Sequence, residues 1–182
     1  TGLTNITVFT CTGERTKYEF WKDSSDSSLN ILTVPNYKNS EYEINNTDEW
    51  NVIAKLINAG TFCSGTSLYS ADNYAITQDI FMTSANPLIT WAIDAQHKFT
   101  GTFNGQGYTI NAGQSKQLFG FIEKASISNL GVHIAEVSGN TTNEYVGGIV
   151  GNAINNSTLS KCYFVGKSSS SKFGGLVGSL DN

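Results

Sequence analysis

Fifteen carboxylates and two histidines are the groups in this 182-residue chain that could do acid–base or metal chemistry. A glycosidic acid/base pair or a calcium site needs several carboxylates converging on one face. In the C-terminal half Glu123, Glu136, Glu144 and Asp181 fall at different phases of the sequence pattern, and the first three sit at or beside expected corners. They read as solvated surface. Asp72, Asp79 and Asp94 lie closer together and are the candidates for a metal or acid/base site, although a hydrogen bond to a turn explains Asp79 equally well. His97 and His133 lie apart, and no Gly-x-Ser-x-Gly nucleophile elbow accompanies them, so both read as ordinary surface residues. Cys11, Cys63 and Cys162 are odd in number and form no Cys-x-x-Cys pair. Cys162 lies in the alternating run Thr158–Phe164 and reads as a small buried hydrophobe. Whether Cys11 and Cys63 pair stays open. The expectation is a protein that is not an enzyme, with no catalytic residue, no metal and no cofactor.

The elements that must carry these residues follow from composition and periodicity. Charged residues make up 14% and Pro only 2 residues, against 18 Gly, 19 Asn, 20 Ser and 19 Thr. Short neutral side chains at the surface suit stacked strands and turns better than long helices. A net charge of −4 without a clustered basic stripe argues against a nucleic-acid partner. No apolar run approaches the length of a membrane span. The start at Thr1, without Met or signal peptide, fits a processed protein or a piece of a longer one.

Three segments align at a fixed interval: Phe119-Gly-Phe-Ile122, Val146-Gly-Gly-Ile149 and Phe173-Gly-Gly-Leu176, with 146 − 119 = 27 and 173 − 146 = 27. A second mark, Ser126–Val132 and Thr158–Phe164, recurs at 158 − 126 = 32, which places extra residues near Asn152 to Ser157. Constant strands with variable polar corners are the signature of a solenoid. At about 3.3 Å per residue, 27 residues make three short strands and three turns, one coil. The expected interior column is Ile122, Ile149 and Leu176. Glycines 147, 148, 174 and 175 supply positive φ or close approach between coils; no Lys-Ser/Thr follows them, as a phosphate loop requires.

Val146-Gly-Gly-Ile-Val-Gly151 and Phe173-Gly-Gly-Leu-Val-Gly178 resemble the GLUG repeat of secreted bacterial surface proteins. Tyr74–Ile80, Phe99–Ile110 and Leu118-Phe-Gly120 resemble the segment that commonly precedes such repeats, so the resemblance covers roughly residues 47–182. The stretch Ala85–Asp94 departs from it, being longer than the usual Trp-containing connection. The resemblance and the pattern together imply an all-β fold: a right-handed parallel β-helix over residues 47–182, with repeats over about 99–182. Residues Thr47-Asp-Glu-Trp50 open a helix over about 48–58, with Thr47 as its cap and Trp50, Ile53, Ala54 and Ile57 on its apolar face. Gly60 ends it. Such a helix can cover the open end of a first coil. Residues 1–46 alternate like strands and form a β-rich N-terminal extension.

The resemblance implies an extracellular, cell-surface segment used in adhesion or as a stalk or fibre of the kind found in virulence-associated proteins. Its partners would be a host or neighbouring-cell glycan or protein, or a further copy stacked end to end. Tyr18, Phe20, Trp21 and Tyr37, and the polar corner Gly139 to Tyr145, are the candidate contact regions. Two alternatives stand beside this: a polysaccharide-acting β-helix lyase or glycosidase, and an ice-binding array of Thr. The second needs Thr-x-Thr once per coil, and Thr10-x-Thr12 and Thr100-x-Thr102 do not recur at that interval.

Overall fold

A computed structural model of the chain describes residues 3–7, 18–23, 29–60, 62–64, 67–84, 88–89, 97–113, 116–138 and 146–181. The elements in chain order are β1 (Leu3–Thr7), β2 (Tyr18–Asp23), β3 (Leu29–Thr33), β4 (Tyr37–Lys38), β5 (Glu41–Ile44) and α1 (Thr47–Asn58). There follow β6 (Phe62–Ser64), β7 (Ser67–Leu68), a short 3-10 turn (Tyr69–Ala71), β8 (Asn73–Ile76) and β9 (Ile80–Phe81). Next come β10 (Thr102–Asn104), β11 (Thr109–Asn111), β12 (Phe119–Glu123), β13 (Ser126–Ser128) and β14 (Gly131–Val137). The last are β15 (Val150–Ile154), β16 (Thr158–Ser160), β17 (Tyr163–Ser168) and β18 (Val177–Asp181).

The fold is mostly β, and its three principal sheets are built mainly from parallel pairs. Their orders are β16-β13-β10-β8-β5-β4, β17-β14-β11-β9 and β12-β15-β18. From β10 onward the chain visits the six-stranded, the four-stranded and the three-stranded sheet in that order, three times over. The sheets remain separate, and the described residues do not close them into a continuous solenoid. Alternation decides which side chains go inward. In the first sheet Tyr42, Tyr74, Phe103, Ile127 and Leu159 stand in one register column. The first four are fully buried and Leu159 packs against them half-covered. In the second sheet Ile80, Ile110, Val132 and Phe164 form the equivalent column.

The 32-residue interval holds, because Ser126 pairs with Thr158 and Val132 with Phe164. The 27-residue interval holds between the last two glycine marks, where Val146 bridges Phe173 and Val150 pairs with Val177. The first mark is displaced. Phe119 pairs with Val150, and Ile122 with Ala153 and so with Leu180. Ile122 therefore does not share a column with Ile149 and Leu176, which sit together four residues out of step. The longest insertion falls between Val137 and Val150, not at Asn152 to Ser157. The latter stretch holds one extra corner residue, Asn155 and Asn156 standing where Lys124 stands one layer away.

Strands β1, β2 and β3 form an antiparallel sheet of their own, whereas β4 and β5, within the residues 1–46 expected as an extension, join the six-stranded sheet through the pairing of Tyr42 with Tyr74. Helix α1 lies between them and β6, and Trp50, Ile53, Ala54 and Ile57 are all buried, with Leu56 beside them. Trp50 meets Phe103 edge-on with ring centroids 6.0 Å apart. The cap is Asn46, not Thr47: the Asn46 side chain accepts from the Glu49 N–H at 2.9 Å. Thr47 is the first helical residue and donates its hydroxyl to Phe81 O at 2.7 Å. Asn ranks above Thr as a cap, and Asn46 has the extended backbone that a cap residue takes, with φ −158° and ψ 174°. Asn46→Ala is expected to cost about 1 kcal/mol in urea denaturation. Gly60 closes the helix with φ 64°.

Single left-handed residues turn the chain at its corners: Gln106, Lys124, Asn129, Asn155, Asn156 and Lys161 all have positive φ. Asn bears this backbone best among non-glycine residues, which accounts for part of its abundance. The corners also bond to each other. Asn129 Nδ2 donates to Asn104 Oδ1 at 3.0 Å. Lys98 Nζ reaches Glu123 Oε2 at 3.0 Å and Asn155 Nδ2 reaches Glu123 Oε1 at 2.6 Å, linking three layers. The hydrogen bond from Lys98, followed by that from Asn155, holds the Glu123 carboxyl below its ordinary value of 4.5. A depressed folded value contributes stability above the unfolded value, and that contribution is lost as pH falls through the folded one. The stability gap between wild type and Glu123→Gln should therefore close as pH drops below the ordinary carboxylate value. Urea melts at a series of pH values read this directly.

Candidate functional site

Two of the carboxylates singled out by sequence, Asp72 and Asp79, are occupied with backbone. Asp72 is buried and its Oδ1 accepts from the Asn73 N–H at 2.9 Å. Asp79 is exposed and its Oδ1 accepts from the Thr109 N–H at 2.8 Å, so it ties one layer to the next, as a turn-bonding role requires. Asp94, Glu144, Cys11 and the corner Gly139 to Tyr145 lie outside the described residues, as does the side chain of Cys63. Among the described residues no three His, Cys, Asp or Glu are grouped to hold a metal. Glu136 is held below its ordinary value by a hydrogen bond from Ser169 and then by Lys167, which it meets at 3.3 Å.

Cys162 is half-buried, and burial pushes its thiol up from the ordinary value. It is less covered than Leu130, its equivalent one layer inward, because its own layer is packed on one side only among the described residues. Of the candidate contact aromatics, Tyr37 is half-buried and packs against the core, edge-on to Tyr42 at 4.8 Å. The side chains of Tyr18, Phe20 and Trp21 lie outside the described residues. Thr102 is flanked in register by Asn73 and Ser126, and donates to Asn73 Oδ1 at 2.7 Å. That row mixes Asn, Ser and Thr engaged with each other.

A different surface gathers side chains that the core does not use. In the four-stranded sheet Ile110, Val132 and Phe164 point inward, so their neighbours project from the opposite face. One outward row is Thr109, Gly131 and Tyr163; the next is Phe81, Asn111, His133 and Val165. Tyr163 is 46% exposed, Val165 53% and Phe81 67%, an unusual concentration of apolar surface on so polar a chain. The Tyr163 ring lies across Gly131, where an added Cβ would be 2.4 Å from it. Its hydroxyl is 3.0 Å from Thr109 Oγ1. Thus the absence of a side chain at 131 lets the ring lie over the sheet, and the Thr109 contact fixes its far end. The His133 ring stands 5.8 Å from it at 57°. Beside them a shallow, open depression of about 380 Å³ is lined by Met82, Asn111, Ala112, His133, Val165 and Gly166.

Residues 142–170 match the family model described as the GLUG motif. This is a GLUG-containing chain. The GLUG segment takes in Val146-Gly-Gly-Ile-Val-Gly151, all of β15 and β16, and β17 with Tyr163 and Val165. The outermost strand of the aromatic face is therefore part of the GLUG motif itself. No curated protein and no solved structure matches the chain.

Sequence reasoning weighed His133 alone and passed over Phe81, Thr109, Asn111, Tyr163 and Val165. The signal was present: the 32-residue interval puts Gly131 beside Tyr163 and His133 beside Val165. Reading the outward positions of that register, and not only the inward ones, finds the face.

Proposed function

We propose that the parallel sheets are successive turns of a right-handed parallel β-helix in an extracellular surface protein, which displays its outer faces for adhesion on a stalk-like core. One observation supports it most: the chain returns to the same three sheets in the same order, carrying buried apolar columns through the layers. Side chains facing outward are then free to vary, which is what a display scaffold needs. In this reading α1 caps one end of the coil through Trp50. At the other end β16, β17 and β18 are the outermost described strands, and Leu159, Phe164, Leu176 and Val177 are only partly covered, an apolar edge suited to end-to-end stacking of a further copy. The GLUG motif supports the surface-protein reading. No helix among the described residues is long and apolar enough to cross a membrane.

The test is accessibility on intact cells of the source organism. A membrane-impermeant amine label should modify the native protein, with Lys167, 76% exposed, among the labelled sites. Labelling that occurs only after lysis would overturn the surface assignment.

A further inference from the structure

We propose that the outer face of the four-stranded sheet, centred on Tyr163, binds a neutral carbohydrate chain. This deepens the adhesive reading and rests on it.

A pyranose has an apolar face of C–H groups and a rim of hydroxyls, so its binding site needs an exposed aromatic plane with hydrogen-bonding groups at the edge. Tyr163 supplies the plane. It is spread over Gly131 and held at the hydroxyl by Thr109, so little rotamer freedom remains to be lost on binding. The rim is supplied by Asn111, whose amide both donates and accepts, and by the His133 imidazole 5.8 Å from the Tyr163 ring. Phe81 and Val165, in the same row as Asn111 and His133, extend the apolar surface to either side.

Shape and charge narrow the ligand. The depression is open and shallow, not an enclosed cavity of the kind that swallows a small molecule, so it accepts the middle of a chain whose ends run on past the site. Of the cations near this face Lys167 is paired with Glu136 at 3.3 Å and Lys161 stands at the corner before β17, while Asp79 borders the opposite edge. With a net charge of −4 on the whole chain and no clustered basic stripe beside Tyr163, a sulfated or uronate polymer is repelled at longer range. A protein partner would favour a broader dry apolar centre than a face on which Asn111 and His133 separate Phe81 from Val165 provides.

The experiment uses the full chain on an array of neutral β- and α-linked hexasaccharides, with heparin and immobilised matrix proteins as further arms. Affinities are then measured by calorimetry for the strongest neutral oligosaccharide. Tyr163→Ala should weaken binding by about tenfold or more. Tyr163→Phe, which keeps the ring, should hold most of the affinity, and Val165→Lys, at an exposed position on the rim, should weaken binding with the melting temperature unchanged. The Val165 variant keeps the test alive if Tyr163→Ala unfolds. Neutral-glycan binding that ignores both Tyr163→Ala and Val165→Lys would overturn the site. Stronger binding to heparin than to any neutral chain would overturn the ligand class. Binding to a matrix protein alone, sensitive to Val165→Lys, would overturn the carbohydrate and leave adhesion standing. Absence of binding in every arm would overturn the carbohydrate site, and the accessibility of the protein on intact cells would then decide the surface reading separately.

Discussion

Replacing Phe103 with alanine is expected to remove about 3–5 kcal/mol of stability in urea denaturation. Phe103 is fully buried on β10, between Tyr74 of one layer and Ile127 of the next. Its ring meets Trp50 at 6.0 Å and Phe119 at 5.4 Å, both edge-on. It thus joins the helix, the six-stranded sheet and the three-stranded sheet at one point. Truncation opens a cavity that strands in fixed register cannot collapse to fill, and it also removes two aromatic contacts. A domain of this size holds only about 5–15 kcal/mol in total, so the variant should sit at or near the edge of folding. Val165→Ala, on the exposed face, should by contrast change stability by no more than about 0.5 kcal/mol.

Gly147→Ala should be nearly as damaging, although it adds one methyl. A Cβ at 147 would stand 2.1 Å from Val150 O, 2.6 Å from Gly178 N and 2.7 Å from Leu176 O. All three are backbone atoms, so no side chain can rotate away. Leu176 O accepts from the Ile149 N–H at 3.0 Å and the Val150 N–H at 3.1 Å, and both bonds would stretch as the layers part. Overpacking of this kind costs about 1–3 kcal/mol and occasionally more; the backbone setting puts this case at the upper end. The same denaturation assay measures it. An unchanged midpoint would mean that the backbone does not crowd the glycine mark as closely as 2.1–2.7 Å.

These two residues also show why some of the fold was legible in the sequence. Strands β13 and β14 are followed 32 residues later by β16 and β17, and the corners between them, at Asn129 and Lys161, have equal length. Matching alternation over both strands then leaves one register. The link from Val150 to Val177 is legible for the same reason, since both follow an apolar-Gly-Gly mark. The step from Phe119 is not. Phe119-Gly120 matches Val146-Gly147 and Val150-Gly151 equally well as apolar-Gly, and only the length of the preceding connection distinguishes them. A polar corner of variable length carries no pattern, because its closure costs little whichever length it has. Helix α1 was legible from its apolar spacing, whereas its cap slipped by one residue because Asn46 and Thr47 are both competent caps. Much of the outer face stayed unseen for a different reason. Outward positions obey no hydrophobic rule, so Thr109, Gly131 and Tyr163 acquire meaning only when the layers are set side by side.

Distant segments stack in parallel, layer on layer, and cross-strand nuclear Overhauser contacts in the labelled full chain report that stacking residue by residue. The expected result is a side-chain ladder running Tyr74 to Phe103, Phe103 to Ile127 and Ile127 to Leu159, with the parallel pattern of backbone contacts between Ser126–Ser128 and Thr158–Ser160. Close Hα–Hα contacts between Ser126–Ser128 and Gly131–His133, the mark of a local antiparallel hairpin, would contradict it.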